Sequence, residues 1–301
     1  PRPPALRGRA ARGLGAGRGG GGGGAAWQGG GADTPPPAPP VRAGGAEAVP
    51  RAAIRGRELR MARVSFLAEG VALVELDRPE ALNALTLEGL GALAGAFAGL
   101  RRRDAAGQRV GAAVLTGRGK AFCAGIDLTA AEAVFKSDPD DPATQQRDVV
   151  REMELCEFPI IGAINGAAVT AGFEIALACD LLLAAEGAFF QDTHCRYGIM
   201  PSWGLSQKLP RLIGAGRARA VSFACLKVSA AEAERWGLVL RVVPDLQGRP
   251  AGEALLGEAL GLARRVAGND GAVVRGYKDV IRRGLHTDLA AGRALERGRA
   301  A

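Results

Sequence analysis

The stretch Ile161-Gly-Ala-Ile-Asn-Gly-Ala-Ala-Val-Thr-Ala-Gly-Phe-Glu-Ile-Ala-Leu-Ala-Cys-Asp180 constrains this chain more than any other. The apolar run Pro159–Ile164 that leads into it has strand character and stops at Asn165-Gly166, two residues that favour a turn. Small residues then carry the chain into a helix expected over Ala171–Cys179, and Asp180–Ala185 reads as the next strand. Glycine and alanine at a strand-to-helix junction let another backbone or a ligand approach the main chain closely. Glu174 is the one charged residue of that helix, flanked by Phe173, Ile175, Ala176 and Leu177. An acid in such apolar company reads as chemistry; the plainer reading is a carboxylate placed for the helix dipole.

The surroundings repeat the theme of strands feeding glycine-marked loops. Val64–Leu67, a turn at Glu69-Gly70 and Val71–Leu76 form an expected hairpin, closed by Arg78-Pro79. Thr86 stands as an N-cap before Leu87, Leu90, Ala94, Phe97 and Leu100, whose spacing predicts an amphipathic helix. Val110–Thr116 is an expected buried strand ending at Gly117-Arg118-Gly119-Lys120. Helices are expected over Gly204–Ile213, Ala215–Ala224, Ala230–Trp236 and Leu255–Ala267. Strands first and helices later, with crossovers between, predict an α/β body.

Composition sets the limits of that body. A hydrophobic content of 48% in 301 residues suits one large domain or two small ones. Residues 1–60 hold ten Arg, no Lys and three acids, which is +7 of the formal +8. The remainder is near neutral and lacks the broad basic face that nucleic acid requires. Rich in Gly, Pro and Arg, residues 1–60 are expected to be a disordered extension. The first methionine, Met61, directly precedes the first strand-like run, so the extension reads as an upstream addition. Its Gly-Arg alternation leaves open a targeting peptide or an RNA contact. Cys123, Cys156, Cys179, Cys195 and Cys225 form no CxxC pair. A reduced intracellular setting without a zinc site is expected, and the apolar run Leu181–Leu183 is too short to span a bilayer.

Two catalytic motifs fall away on inspection. Gly117-Arg-Gly-Lys120 lacks the leading glycine and the Ser/Thr of a phosphate loop, and no GxSxG nucleophile elbow occurs. Cys123 and Cys195 read as packing residues.

Four stretches stand in order: Asp77-Arg-Pro-Glu-Ala-Leu-Asn-Ala-Leu85, Lys120-Ala-Phe-Cys-Ala-Gly-Ile-Asp-Leu128, the Ile161–Asp180 run, and Gly198-Ile-Met-Pro201. Together they resemble the enoyl-CoA hydratase/isomerase (crotonase) superfamily over roughly residues 62–298. The resemblance implies one crotonase-like α/β domain over 62–301, built of repeated ββα units with C-terminal helices. It implies addition of water to a 2-enoyl-CoA thioester in fatty-acid or related acyl-CoA breakdown; the rivals are double-bond isomerisation, other CoA-thioester enolate chemistry, and acyl-CoA binding without turnover. The N–H groups of Ile126 and Ala171 would form an oxyanion hole, with Glu174 as the base for water. Backbone around Asn83, Ala84 and Leu85, around Ala124, Gly125, Asp127 and Leu128, and at Gly172 would hold the coenzyme. No metal or separate cofactor is implied, because coenzyme A arrives with the substrate, and neither nucleic acid nor membrane is an expected partner.

The chain departs from the family at several places. The second hydratase glutamate aligns with His194, a substitution shared with a plant and bacterial branch of the hydratases. Histidine suits acid–base work near neutral pH, while a hydrogen-bonded structural role stays open beside it. Thr170 stands where the usual signature has Gly or Ala. Trp203 is a candidate for the acyl channel or for an ordinary buried aromatic, and Arg217 and Arg219 read as solvated. Family members continue for one or two helices beyond the one holding Ala294-Leu-Glu296, so the resemblance implies a shortened C-terminal end. A homotrimer or hexamer is expected from C-terminal helices packing across subunits and from the apolar Leu255–Ala267. Peroxisome or cytoplasm is the expected location, although Gly298-Arg-Ala-Ala301 is not a peroxisomal ending.

Overall fold

Fully buried apolar strands meet edge to edge in the computed structural model, which describes residues 56–59, 61–135, 138, 140–245 and 252–298. In chain order the strands are β1 (Gly56–Leu59), β2 (Met61–Phe66), β3 (Val71–Asp77), β4 (Ala112–Gly117), β5 (Ala121–Cys123), β6 (Ile160–Ile164), β7 (Ala167–Val169), β8 (Leu181–Ala185), β9 (Phe189–Gln191), β10 (Lys227–Ser229) and β11 (Arg241–Val243). The helices are α1 (Leu87–Ala105), α2 (Ala131–Phe135), α3 (Pro142–Gln145), α4 (Val149–Glu154), α5 (Ala171–Leu177), α6 (His194–Tyr197), α7 (Leu205–Ile213), α8 (Ala215–Phe223), α9 (Ala230–Arg235), α10 (Glu253–Ala267), α11 (Gly271–Gly284) and α12 (Leu289–Arg297).

One sheet has seven strands in the order β1-β2-β3-β4-β6-β8-β11, and a second has four in the order β10-β9-β7-β5. β1, β2 and β3 pair antiparallel, whereas β3, β4, β6, β8 and β11 run parallel. Every residue of β4 and of β6 is buried, as parallel strands covered on both faces require. α10 packs over β3, β4, β6, β8 and β11, while α1 packs on β2, β3 and α4.

The two sheets are threaded together by a repeated unit. Each of β4, β6 and β8 in the large sheet is followed by β5, β7 or β9 in the small one and then by a helix. β3 follows the same plan in reduced form: Leu85 makes an isolated parallel bridge to Ile126 before α1 begins. These are the ββα units the resemblance implied. Thr86 caps α1 as expected, its side chain accepting a hydrogen bond from the Gly89 N–H at 3.1 Å. Thr86→Ala removes that acceptor from the helix start, so a loss of about 1 kcal/mol in a denaturant melt is the expected outcome.

Two sequence expectations change. β1 lies inside the segment read as disordered, and the folded body reaches back to Gly56; this edge strand is held by main-chain pairing to β2, from Gly56↔Ser65 to Leu59↔Ala62. Residues 1–55 and 60 lie outside the described residues. The apolar content of α10, read as material for a subunit contact, is used within this chain: Leu255, Ala259, Leu260 and Ala263 are buried in its own core. An exposed apolar row sits instead at Val273, Tyr277, Ile281 and Leu285, continued by Leu289. Their spacing of four sets them along one helix face.

Candidate active site

The small sheet decides where chemistry can occur. β5, β7 and β9 are parallel neighbours, paired at Cys123↔Ala168 and Val169↔Gln191. Their C-terminal ends therefore emerge side by side, the usual place for a site in parallel sheets. β5 leads into Ala124-Gly125-Ile126, β7 into Thr170-Ala171, and β9 into Asp192-Thr193-His194. Ile126, Ala171 and His194, more than sixty residues apart in sequence at their extremes, thus border one cavity of about 650 Å³. Glu174, one turn along α5, reaches the same cavity, whose apolar wall includes Leu87, Leu90, Val134, Ile199, Met200 and Trp203.

Glycines permit the junction. A Cβ at Gly172 would lie 2.2 Å from the Cys123 carbonyl oxygen, so α5 can start against β5 only with glycine there. Gly125 has φ +100, and a Cβ on it would lie 3.0 Å from the Val169 carbonyl oxygen and 3.9 Å from the Ala171 nitrogen. The chain preceding Ile126 consequently runs beside the first residue of α5. The Leu85 bridge uses the Gly125 carbonyl at 2.8 Å and the Asp127 N–H at 2.9 Å, which aims the Ile126 N–H away from that bridge. The Ala171 N–H, at the start of a helix, has no intrahelical acceptor. Among the described residues neither group donates to a protein acceptor.

Thr170 joins β7 to α5 at φ 51 and ψ −109, a conformation strained for a β-branched residue. Two contacts hold it there: its N–H donates to the Gln191 carbonyl at 2.9 Å, and its hydroxyl meets that of Thr193. The departure from Gly or Ala at this position is therefore tied to the loop that carries His194.

Glu174 and His194 are both buried, at 2% and 5% exposure, a burial that charged groups tolerate only with partners. Glu174 Oε1 accepts from the N–H of Trp203 at 2.9 Å and of Leu205 at 3.4 Å. Its Oε2 lies 3.6 Å from His194 Nε2. Burial pushes the Glu174 carboxyl above its ordinary value, against the Trp203 N–H and the nearby imidazole, which pull it down. On its other side His194 meets Asp192, with Nδ1 2.7 Å from Oδ1, and the His194 main-chain N–H donates to the same oxygen at 3.0 Å. Burial pushes Asp192 up, yet hydrogen bonds from the His194 ring, the His194 N–H and the Ser222 hydroxyl outweigh it and hold the carboxyl below its ordinary value.

The structure thus brings together Ile126, Ala171, Glu174 and His194. Asn83, Ala84, Leu85, Ala124, Gly125, Asp127, Leu128 and Gly172 lie outside the cavity wall. Asn83 is a brace: its carbonyl oxygen accepts from the Arg78 N–H, and its amide donates to the Arg118 and Ala121 carbonyls. Hydrogen bonds from Thr129 and an ion pair with Arg78 hold Asp127 down to about 2. Leu128 is exposed. Trp203 lines the cavity, half-buried against the core, and its main-chain N–H donates to Glu174. Burial pushes the Cys123 thiol to about 12, in keeping with packing, whereas Cys195 is exposed, against the reading of it as a packing residue. Among the described residues no group of His, Cys, Asp or Glu is placed to hold a metal ion, and no helix is long and apolar enough to cross a membrane. Asp192 escaped sequence reading; its only signal was an acid two residues before His194.

Comparison with known proteins bears on this arrangement. The family described as enoyl-CoA hydratase/isomerase matches residues 67–300. The chain belongs to that family. Among its relatives, "Probable enoyl-CoA hydratase 1, peroxisomal" of Arabidopsis thaliana is 47% identical over 231 residues, 77% of this chain and 82% of the relative. The enoyl-CoA hydratase structure from Bacillus anthracis superposes with a TM-score of 0.68 at 31% identity, covering 82% of this chain and 89% of that one. A monofunctional enoyl-CoA isomerase from M. smegmatis superposes with a TM-score of 0.63 at 31% identity, covering 78% and 98%. The fold is that of the crotonases, and it carries both reactions.

Proposed function

We propose that this family member hydrates a 2-enoyl-CoA thioester, with the carbonyl oxygen held by the N–H groups of Ile126 and Ala171. Two such donors oppose the negative charge that develops on that oxygen as C3 is attacked, each worth about 2.7–4 kcal/mol in comparable sites. The pairing of Glu174 with His194 at the cavity, 3.6 Å apart, carries the reading. Hydration needs one group to take a proton from water as the C3–O bond forms and another to deliver a proton to C2. Moving a double bond needs only one group that carries the same proton between carbons, so two opposed acid–base groups favour water addition over isomerisation. Glu174 is the base for water in this reading and His194 its partner. Coenzyme A is part of the substrate, and no separate cofactor enters.

Turnover of crotonyl-CoA, followed as loss of the enoyl absorbance, is the test. Binding without turnover would leave an acyl-CoA binding protein, and formation of a 3-enoyl product would make the chain an isomerase. A trimer or dimer of trimers belongs to the same proposal, supported by the exposed Val273, Tyr277, Ile281, Leu285 and Leu289. Light scattering at micromolar concentration is expected to give three or six copies, and a monodisperse monomer overturns this. Free cysteines throughout the described body and the word peroxisomal in the name of the Arabidopsis relative support a reducing compartment, peroxisome or cytoplasm.

A further inference from the structure

We propose that Asp192 is a positioning residue, which fixes a proton on His194 Nδ1 and thereby presents Nε2 to Glu174 as the acid–base atom. Asp192 is 2% exposed, and one of its oxygens receives both the His194 ring at 2.7 Å and the His194 main-chain N–H at 3.0 Å. An ionised carboxylate only accepts hydrogen bonds. The ring nitrogen facing it must therefore donate, because the other tautomer would set two acceptors against each other inside a buried site. The Ser222 hydroxyl, from α8, donates to the same carboxylate.

The far side of the ring completes the argument. With Nδ1 protonated, a neutral imidazole turns the Nε2 lone pair toward Glu174 Oε2, 3.6 Å away. Glu174 Oε1 is already occupied by the Trp203 and Leu205 N–H groups, so Oε2 is the oxygen that faces the ring. Two lone pairs opposed between buried groups repel, and one proton held between them removes the conflict. The pair then carries one proton as neutral imidazole with carboxylic acid or as imidazolium with carboxylate. That is the complement hydration uses: the group without the proton takes one from water, and the other gives its own to C2, so the pair ends with the number it began with. The anionic Asp192 favours the imidazolium member. Among the described residues, the other charged groups on the wall of the same cavity are Arg147 and Asp148. On α8, Arg217 and Arg219 face solvent.

The proposal rests on the hydratase reading for its kinetic consequence and on geometry alone for its orientation, so its test has two arms. The chain has two histidines, His194 and His286, and the variant His286→Gln leaves one imidazole to follow by nitrogen-15 NMR on the full chain. In the otherwise wild-type chain a neutral ring is expected to carry its proton on Nδ1; a proton on Nε2 overturns the proposal without any change at Asp192. Asp192→Asn keeps the shape and both hydrogen bonds but removes the charge, so the titration read at the ring is expected to move about one pH unit or more toward acid. In the kinetic arm, crotonyl-CoA kcat should fall about tenfold or more with KM near its wild-type value, and the acid limb of the kcat pH profile should move the same way. A purely structural Asp192 would change the melting temperature and leave ring titration and pH profile in place, which also overturns the proposal. Absence of crotonyl-CoA turnover in the wild type, alongside the expected NMR result, supports the positioning role and removes only the hydratase reading.

Discussion

Glu174→Gln lowers crotonyl-CoA turnover by about 10²–10⁴-fold, the usual worth of a positioned acid–base group, while affinity for the thioester stays close to wild type. The substitution keeps the geometry, because a glutamine oxygen can still accept from the N–H groups of Trp203 and Leu205, the partners of Oε1. Its amide can donate to His194 Nε2, so the pocket loses a base without losing its shape. Stability should move the opposite way. Burial raises the Glu174 carboxyl above its ordinary value in the folded state. A raised carboxyl binds its proton more tightly when folded, which favours folding at acid pH and is lost as pH rises through the folded value. At neutral pH the wild type therefore carries a cost that Glu174→Gln removes, and the variant should be the more stable there, the difference closing as pH falls below the ordinary carboxylate range. Denaturant melts at pH 4 and pH 7 read the stability, and steady-state kinetics read the chemistry. A variant with full activity would end the assignment of Glu174 as base, and one that is inactive only because it melts would show up as a fall in stability at pH 7.

This trade of stability for chemistry explains why the site was partly legible in the chain. Glu174 announced itself as a lone acid on an apolar helix, and α5, β6 and β8 followed from apolar runs and from the break at Asn165-Gly166. α1 was legible from its cap and its apolar stripe. The four strands of the small sheet were not, because each is three residues long and shows no period. They exist only by pairing with one another, and it is this sheet that sets Ile126, Ala171 and His194 on one cavity. The gathering of the site therefore lay in tertiary pairing, and the resemblance anticipated it where residue patterns could not. Asp192 stayed hidden for a related reason: an acid in a loop looks like any solvated acid until burial and the imidazole partner are seen. α11 was unread although Asp270 caps it and Val273, Tyr277, Ile281 and Leu285 recur every fourth residue. That row is exposed, and it fits no core pattern within one chain.

Two glycine-to-alanine changes with opposite expected signs separate close approach from mere flexibility. At a helix position alanine is favoured over glycine by about 1 kcal/mol, and Gly261, within α10, has nothing within 4 Å of an added Cβ. Gly261→Ala is therefore expected to gain up to about 1 kcal/mol. At Gly172 the same change places a Cβ 2.2 Å from the Cys123 oxygen, 2.8 Å from its Cβ and 2.9 Å from its carbonyl carbon. Those atoms belong to β5, whose pairing with β7 at Cys123↔Ala168 cannot yield without opening the small sheet. Overpacking of a core side chain costs about 1–3 kcal/mol, and collision with paired backbone belongs at or beyond the upper end, so Gly172→Ala should lose about 3 kcal/mol net of its helix gain. The displacement falls between Ile126 and Ala171, and turnover should drop further than stability alone explains when both proteins are assayed at a temperature where they remain folded. Equal, small effects at Gly172 and Gly261 in paired urea melts would mean that α5 does not start against β5 as described, and the convergence of the two N–H groups would lose its structural basis.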